Sequence, residues 1–320
     1  MIALFKIRKH INLSKLKLDH ATKIFDSAIL PIITYGCEVW GVYNKFDFES
    51  WDKTHMEKVH LRFCKLYLEL NRKASNHAVR AEMGRFPILI SIIKQILKYN
   101  VYLRSKDNSS IVKQAFLISE QIDPNMKKCY KNRLNELRSF INARESYSQT
   151  LISEQMVDKS VSSLKTAFIK FWKQKLQNSS KLDFYLNGKL DYAPDAFIDD
   201  LRNCPARRDL LKLRTSNHSL FVETGRYTSP KLPREERICK YCNKNEIEDE
   251  LHLIHSCELY LDLRDTFLKK LHAVFNINKS KDSSFVFEIF SNSNKKAQYY
   301  LAQFVSKCFS IRKTITSMAS

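Results

Sequence analysis

The sequence predicts a mostly α-helical chain with a small metal-binding subdomain near its C-terminal end. Apolar residues recur at steps of three and four in several long segments, which is the spacing of one helix face. Only 5 of the 320 residues are glycine, which disfavours a fold built from many tight β-turns. A Cys-x2-Cys pair followed by His and Cys within 239–257 is typical of a small metal-stabilised fold.

Five segments carry the helical spacing. The first runs from Met56 to Leu70, and the second follows Pro87, a residue that favours the first turn of a helix. The best candidate for a strand is the short apolar segment 31–35. The other three helical segments are 157–172, 259–271 and 301–311.

Polar stretches divide the helical chain. Segments rich in polar residues or proline at 105–110 and 227–237, with a weaker break at 178–181, predict loops. Together with the cysteine spacing they predict four consecutive regions. These are a helical region 1–108, a helical middle region 109–200, a basic segment with the metal-binding subdomain 201–275, and a helical tail 276–320.

The chain is strongly basic, with 54 Lys and Arg against 34 Asp and Glu and a formal net charge of +20. Such a surface attracts polyanions, so nucleic acid is the expected partner, ahead of an anionic membrane surface. No two glycines are separated by a single residue and no Gly-Lys-Ser/Thr occurs, which excludes the common nucleotide-binding loops. The sequence therefore predicts no small-molecule substrate.

Membrane insertion and secretion are both disfavoured. The longest apolar run, 28–42, is short and is broken by Pro31, Thr34 and Glu38, so it is not expected to span a bilayer. The N-terminal apolar stretch is too short for a signal peptide, so the eight cysteines do not indicate a secreted disulfide framework. We expect an intracellular protein, nuclear or cytoplasmic, with reduced thiols and no membrane partner.

The residues between 239 and 257 have the spacing of a metal site. Cys239 and Cys242 form a Cys-x2-Cys knuckle, and His252 and Cys257 follow within fifteen residues. Three thiolates and an imidazole would complete the tetrahedron that Zn²⁺ prefers, with no position left for catalytic water. The sequence therefore predicts a closed, structural Zn²⁺ site, against the alternative of buried thiols that bind no metal.

Two details of this site depend on local backbone geometry. Five residues of ideal helix leave His252 and Cys257 about 140° apart, so the helix must end or loosen before Cys257. His255 is the alternative ligand, and Asn243 can adopt the left-handed conformation that often closes such a turn. The intervening acids are expected either to complement a helix N terminus or to pair with Arg or Lys. They are Glu246, Glu248, Asp249 and Glu250.

A basic segment precedes and enters the knuckle. Between Arg202 and Lys244 there are eleven Lys or Arg against four Asp or Glu, with Tyr227 and Tyr241 interleaved. Guanidinium groups suit phosphate oxygens and aromatic rings suit unstacked bases, so we predict binding of RNA, DNA or both; a merely solvated face is the alternative. The predicted contacts are Arg207, Arg208, Lys212, Arg214, Arg226, Lys231, Arg234, Arg237 and Lys240.

Several motifs occur in a specific order along the chain. LPIITYGCEVWG (30–41), EKVHLRFCK (57–65) and AEMGRFP (81–87) are followed by KLRTSNHSLFVETGRY (212–227), PREERICKYC (233–242) and EDELHLIHSC (248–257). Between about residues 20 and 270 the chain resembles the region C-terminal to the polymerase palm in non-LTR (LINE-like) retrotransposon reverse transcriptases. That region carries a YG-x-E-x-W segment, an Arg-Leu-Arg…Glu-x-Gly-Arg segment and a Cys-x2-Cys…His-x4-Cys zinc motif.

The resemblance implies a role in handling nucleic acid. The polymerase of those elements copies element RNA from a primer on nicked target DNA, and its C-terminal zinc region is associated with engaging nucleic acid. The motif match implies that His252, and not His255, completes the ligand set with Cys239, Cys242 and Cys257. Four further residues match the preceding segment without a catalytic role: Arg214, Glu223, Gly225 and Arg226.

The departures from the family argue against catalysis. Only about thirty residues precede the YG-x-E-x-W segment, where the palm should lie, and the endonuclease motifs are missing. Asp199 and Asp200 in 197–200 have the F-x-D-D form of a polymerase metal motif but lie far downstream of its expected place, so we interpret them as acids near a helix end. We expect no catalytic residues, and a remnant or separately expressed fragment. A helical and zinc-stabilised protein-interaction module is the alternative.

Overall fold

The computed structural model describes residues 2–121, 129–142, 154–274, 285–291 and 294–318. Within these ranges the chain forms eighteen α-helices, several short 3-10 turns and one π-turn. The only extended pairing in the same ranges is an isolated antiparallel bridge between Ile238 and Ile247. The prediction of a mostly α-helical fold is confirmed.

The helices follow one another with short connections. The first ten are α1 (Ile2–His10), α2 (Leu18–Ala28), α3 (Leu30–Thr34), α4 (Cys37–Trp40), α5 (Phe48–Trp51), α6 (His55–Tyr67), α7 (Asn76–Met83), α8 (Ile88–Ser105), α9 (Ile111–Gln121) and α10 (Tyr130–Asn142). The other eight are α11 (Glu154–Gln177), α12 (Asp183–Gly188), α13 (Phe197–Asp200), α14 (Ala206–Arg214), α15 (Phe221–Thr224), α16 (Leu261–His272), α17 (Phe285–Ser291) and α18 (Lys295–Met318).

The five helices predicted from apolar spacing are all present, as α6, α8, α11, α16 and α18. The predicted strand at 31–35 is wrong, because Leu30–Thr34 forms the short helix α3. Pro31 lies in the first turn of this helix, where its missing N–H costs nothing. The Thr34 hydroxyl donates a hydrogen bond of 3.0 Å to the Leu30 carbonyl, which satisfies the side chain within the helix.

The described residues form two compact units, each assembled from separate parts of the chain. One takes its residues from 1–4, 24–61 and 85–174, and the other from 5–23, 62–84 and 175–320. These boundaries differ from the four consecutive regions expected from composition. Composition reports local breaks, whereas a unit is defined by which helices pack together.

The first unit has an apolar core in which α4 packs on α8. Gly41, which directly follows α4, allows this contact to be close. A Cβ atom at this position would lie 2.8 Å from Cγ2 of Ile92. Glu57 is buried beneath this core and accepts hydrogen bonds from the Trp51 indole and the Ile88 amide, both at 2.9 Å. His60 lies 2.8 Å from the same carboxylate and is buried, so this histidine has a structural role.

The second unit carries the cysteine–histidine segment. Helix α18 packs on α14 and α16, and the rings of Phe267 and Phe304 stack with centroids 4.9 Å apart. Arg312 of α18 reaches Glu248 in the segment between the two ligand pairs, where both side chains are buried. The long helix therefore fastens the small metal-binding segment to the core of its unit.

A glycine ends helix α7 in the second unit. Gly84 has φ of +60°, and its N–H donates to the carbonyl oxygens of Arg80 and Ala81. A Cβ atom here would lie 2.6 Å from Cδ of Pro194. We expect Gly84→Ala to lower the free energy of unfolding by about 1–3 kcal/mol, measured by urea denaturation. Gly188→Ala is the control.

The control glycine is the last residue of helix α12 and has more space. A Cβ atom on Gly188 would lie 3.3 Å from its nearest neighbour, Cδ1 of Phe287. Because alanine also favours helix, the loss at Gly188 should be offset in part. Equal losses for Gly84→Ala and Gly188→Ala would contradict the role assigned to the left-handed backbone at Gly84.

Candidate metal centre

Four side chains converge at one point in the second unit. The ligand atoms of Cys239, Cys242, His252 and Cys257 all lie within 4.8 Å of one another. Sγ of Cys239 is 3.9 Å from Sγ of Cys257, and Sγ of Cys242 is 3.5 Å from Nε2 of His252. In the described ranges this is the one Cys, His, Asp and Glu cluster arranged to hold a metal ion. The predicted ligands are therefore together, and the cluster can hold a metal ion.

A short hairpin presents the first two cysteines. The Cys239 N–H donates to the Glu246 carbonyl, and the Glu248 N–H donates to the Arg237 carbonyl, both at 2.9 Å. The residue with the left-handed conformation is Asn245, with φ of +52°. The assignment of that conformation to Asn243 is therefore wrong by two residues. Asn tolerates positive φ at either position, and the pairing of the hairpin selects Asn245.

A π-turn carries the last two ligands. The turn spans His252–Ser256, and the Cys257 N–H donates to the His252 carbonyl at 2.8 Å, a bond between residues five apart. This wider turn brings Cys257 back toward the side chain of His252, as the prediction that the helix must loosen requires. His255 is exposed and lies outside the cluster. The geometry therefore favours His252 over His255 as the ligand.

Glu246 fixes the orientation of the His252 ring. Its carboxylate is 2.8 Å from Nδ1 of His252 and also accepts a hydrogen bond from the Ser256 hydroxyl. Hydrogen bonds from Ser256 and His252 hold the pKa of the Glu246 carboxyl below its ordinary value. An ionised carboxylate can only accept, so Nδ1 of His252 carries the proton and Nε2 keeps its lone pair for the cluster.

Cys239 and Cys257 are buried, so their thiolate forms need a nearby cation. Burial raises the pKa of Cys239 to about 12, and the neighbouring Cys257 adds to the shift. It also raises the pKa of Cys257. Buried thiols of this kind stay protonated at neutral pH unless a positive charge stabilises the thiolates. A bound metal ion supplies that charge and displaces the protons.

The other acids of the segment support the backbone around the cluster. Glu248 receives two charged hydrogen bonds from Arg312, one of them at 3.0 Å. Asp249 accepts from the His252 N–H at 2.9 Å and pairs with Arg234 at 3.1 Å. Asp249 thus complements a helix start and Glu248 pairs with arginine, so both expected roles of these acids occur.

Arg264 of α16 fastens the π-turn to the helix that follows it. Its Nε donates to the Ile254 carbonyl at 2.9 Å and its Nη2 to the Cys257 carbonyl at 2.6 Å. The side chain is buried, and burial lowers its pKa. Arg264 was not predicted as part of the site, because its only signal is its place in LYLDLRD (259–265), which begins two residues after Cys257.

Three of the nine predicted nucleic-acid contacts require correction. Arg207, Arg214 and Arg237 are only 1%, 1% and 7% exposed. Arg207 donates to the backbone carbonyls of Ile198 and Ser14, each at 3.0 Å. The guanidinium of Arg237 donates to backbone carbonyls of its own segment. A planar guanidinium with several donors suits such internal sites, so these three arginines are not available to phosphates.

The other six predicted contacts are at least partly accessible. Arg208, Lys231 and Lys240 are exposed. The remaining three are half-buried, and each forms an ion pair with an acidic side chain. The pairs are Lys212 with Asp209 at 3.4 Å, Arg226 with Glu223 at 2.8 Å and Arg234 with Asp249 at 3.1 Å.

The F-x-D-D segment forms the short helix α13, and its two carboxylates have different partners. Asp199 accepts a hydrogen bond of 2.8 Å from the Leu18 N–H. Asp200 pairs with Lys295 of α18 at 2.8 Å. Both carboxylates therefore connect elements of the second unit.

No protein-family model matches the chain, and no curated protein or solved structure matches it. The resemblance to retrotransposon reverse transcriptases therefore rests on the sequence motifs. No helix in the described part of the chain has the length and apolar character needed to cross a membrane.

The hydrogen bond from His252 to Glu246 gives a test of the metal centre. We expect Glu246→Gln to weaken metal affinity by about 10- to 100-fold, because the ring loses a charged partner that orients it. Competition against a chromophoric chelator measures this affinity. Glu235→Gln is the control, since Glu235 is exposed on the preceding loop. Equal affinities for the two variants would contradict the orienting role of Glu246.

Proposed function

We propose that the chain is a non-catalytic, Zn²⁺-stabilised nucleic-acid-binding protein related to the C-terminal region of retrotransposon reverse transcriptases. Two observations support the metal and one supports the nucleic acid. The metal would hold the knuckle rigid. The exposed cations and an exposed aromatic ring of the same segment would contact the ligand.

The ligand set and its spacing support Zn²⁺. Bond lengths of about 2.3 Å to sulfur and about 2.0 Å to nitrogen in a tetrahedron place two sulfurs about 3.8 Å apart, and sulfur and nitrogen about 3.5 Å apart. The corresponding distances here are 3.9 Å between Cys239 and Cys257 and 3.5 Å between Cys242 and His252. Three cysteines and one histidine form a closed site, which suits a structural ion.

The nucleic-acid proposal is based on the surface of the loop 227–237 and of the knuckle that follows it. Lys231, Lys240 and Lys244 are exposed there. The ring of Tyr227 is 67% exposed, with Nζ of Lys73 at 5.5 Å from its centroid. An accessible ring among cations can stack on an unpaired base while the cations contact phosphates. This combination of exposed lysines and an exposed tyrosine is the observation on which the proposal depends.

Fluorescence anisotropy with labelled RNA and DNA oligonucleotides at increasing salt tests the proposal. We expect the triple variant Lys231→Gln, Lys240→Gln, Lys244→Gln to reduce the slope of log affinity against log salt by about 2 to 3. The matched control removes three exposed lysines elsewhere in the same unit. It is Lys269→Gln, Lys270→Gln, Lys313→Gln. Affinity that does not respond to salt, or equal losses in the two triple variants, would contradict the proposal.

A protein-interaction module is the second candidate function. The observation in its favour lies in the first unit, where Ile32, Tyr35 and Val39 are 67%, 87% and 52% exposed. Exposed apolar groups of this size mark docking surfaces when they are contiguous. If this is the function, Ile32→Ser with Tyr35→Ser should reduce self-association in analytical ultracentrifugation or capture of a partner. The lysine variants should then have no effect on either measurement.

A further inference from the structure

A second basic feature lies in the same unit, away from the residues assigned to the metal centre. It is a cleft of about 790 Å³ between the C-terminal end of α1, the end of α6 with the loop after it, and the start of α14. Six of its lining residues are Lys or Arg, and Glu69 is the one acid among them. A volume of this size is in the range of about 300–1,000 Å³ found for ligand sites.

Three arginines crowd this cleft without an acidic partner. In the described part of the chain, Arg8, Arg62 and Arg72 form no ion pair. The Nε atom of Arg62 is buried and has no hydrogen-bond partner. Burial lowers the pKa of Arg62, and the positive charges of Arg72 and Arg8 lower it further. The cleft thus holds repelling cations and an unsatisfied donor, which an anion would compensate.

Glu69 introduces local strain at this place. It follows α6 with φ of +56°, a conformation that costs a non-glycine residue energy. The neighbouring Leu70 N–H donates to the Lys65 carbonyl at 2.9 Å, which closes the helix end around it. The Glu69 carboxylate is exposed, and its nearest cation is Arg207 at 3.7 Å. This one acid therefore partly opposes the positive charge of the cleft.

We propose that this cleft is a second nucleic-acid site, which binds backbone phosphates through Arg8, Arg62 and Arg72. The inference rests on the proposed function and adds three contacts, Arg8, Arg62 and Arg72, that lie outside the basic segment. Guanidinium groups bind phosphate oxygens through pairs of N–H donors, so several arginines in one cleft suit successive phosphates of a strand. No Phe, Tyr or Trp ring lines the cleft, so we assign the contact to the backbone and not to bases.

Two variants with opposite expected effects on binding test the cleft. Binding is measured by anisotropy with a labelled single-stranded oligonucleotide. Arg62→Gln with Arg72→Gln should weaken binding about tenfold or more, since charged hydrogen bonds are lost. Glu69→Asn should strengthen binding a few-fold, because it removes the one acid of the cleft while asparagine tolerates the left-handed backbone. The control for the first variant is Lys269→Gln with Lys313→Gln, which removes two charges elsewhere.

The outcomes separate this inference from the proposed function. Normal binding by the arginine variant, together with weak binding by the Lys231, Lys240 and Lys244 variant, overturns the cleft and leaves the proposed function intact. Absence of oligonucleotide binding by the unmodified chain overturns both. If inorganic pyrophosphate displaces the labelled oligonucleotide as effectively as an unlabelled oligonucleotide does, the cleft is a small-anion site and the inference fails. Circular dichroism verifies that each variant is folded. The stronger oligonucleotide binding expected for Glu69→Asn cannot result from a damaged fold.

Discussion

Removal of the proposed Zn²⁺ ion by a chelator is expected to unfold the segment from 237 to 257 and to loosen α16 and α18. The segment has one β-bridge and one π-turn, and its few buried apolar side chains cannot hold it alone. Structural zinc contributes on the order of 10 kcal/mol in small domains, because the site does not exist in the unfolded chain. Hydrogen exchange followed by mass spectrometry should show lost protection there and unchanged protection in α8.

Cys242→Ser should have the same effect as chelation, because it removes one of the four ligands. Cys242 is the least buried of the three cysteine ligands, so its replacement disturbs packing least. The control is Cys204→Ser, since Cys204 is also half-buried but lies outside the cluster. Elemental analysis should find one Zn²⁺ per chain, lost in Cys242→Ser and retained in Cys204→Ser. A metal-free chain with unchanged exchange in both variants would contradict the role of the site.

Replacement of Arg214 is the second change with a large expected effect. Its Nε is 3.1 Å from the buried carboxylate of Glu82, and it also donates to Asp195. Its guanidinium lies 4.7 Å from the ring centroid of Phe290. We expect Arg214→Met to lower the free energy of unfolding by about 3–5 kcal/mol, because Glu82 would remain as an uncompensated buried charge.

Chemical denaturation of matched variants tests this expectation. Arg208→Met lies on the same helix but is exposed, so it should change stability by less than about 0.5 kcal/mol. Adding Glu82→Gln to Arg214→Met should recover part of the loss, since the orphaned charge is removed. Unchanged stability of Arg214→Met with weakened nucleic-acid binding would instead place Arg214 on the binding surface and contradict its burial.

The sequence predicts those features of the fold that depend on neighbours along the chain. The spacing of apolar residues is local, so the helices α6, α8 and α16 follow from it. The ligands Cys239 to Cys257 lie within one short segment, and the need for a loosened helix before Cys257 follows from helical geometry alone. The position of the turn is less determined, because Asn243 and Asn245 are equally able to adopt positive φ.

Features that depend on distant partners could not be predicted in this way. Arg207 and Arg214 belong to a segment with the composition of a basic surface. Their partners Ser14 and Glu82 lie far away in sequence, so the burial of the two arginines is not visible locally. The proposed cleft is the converse case. Its arginines are isolated in the sequence and meet only because residues from the C-terminal parts of α1 and α6, which belong to the second unit, line one cleft with the start of α14. Charge counting along the chain therefore includes cations that are buried and misses a cluster that the fold assembles.

The most direct test of the whole account is the affinity of the full chain for a labelled oligonucleotide, measured with and without Zn²⁺ across a salt series. We predict that log affinity falls linearly with log salt for the Zn²⁺-loaded chain. We also predict that the affinity drops sharply after chelation and returns when Zn²⁺ is restored. Affinity that is independent of salt and unchanged by chelation would contradict the claim that this is a zinc-stabilised nucleic-acid-binding protein.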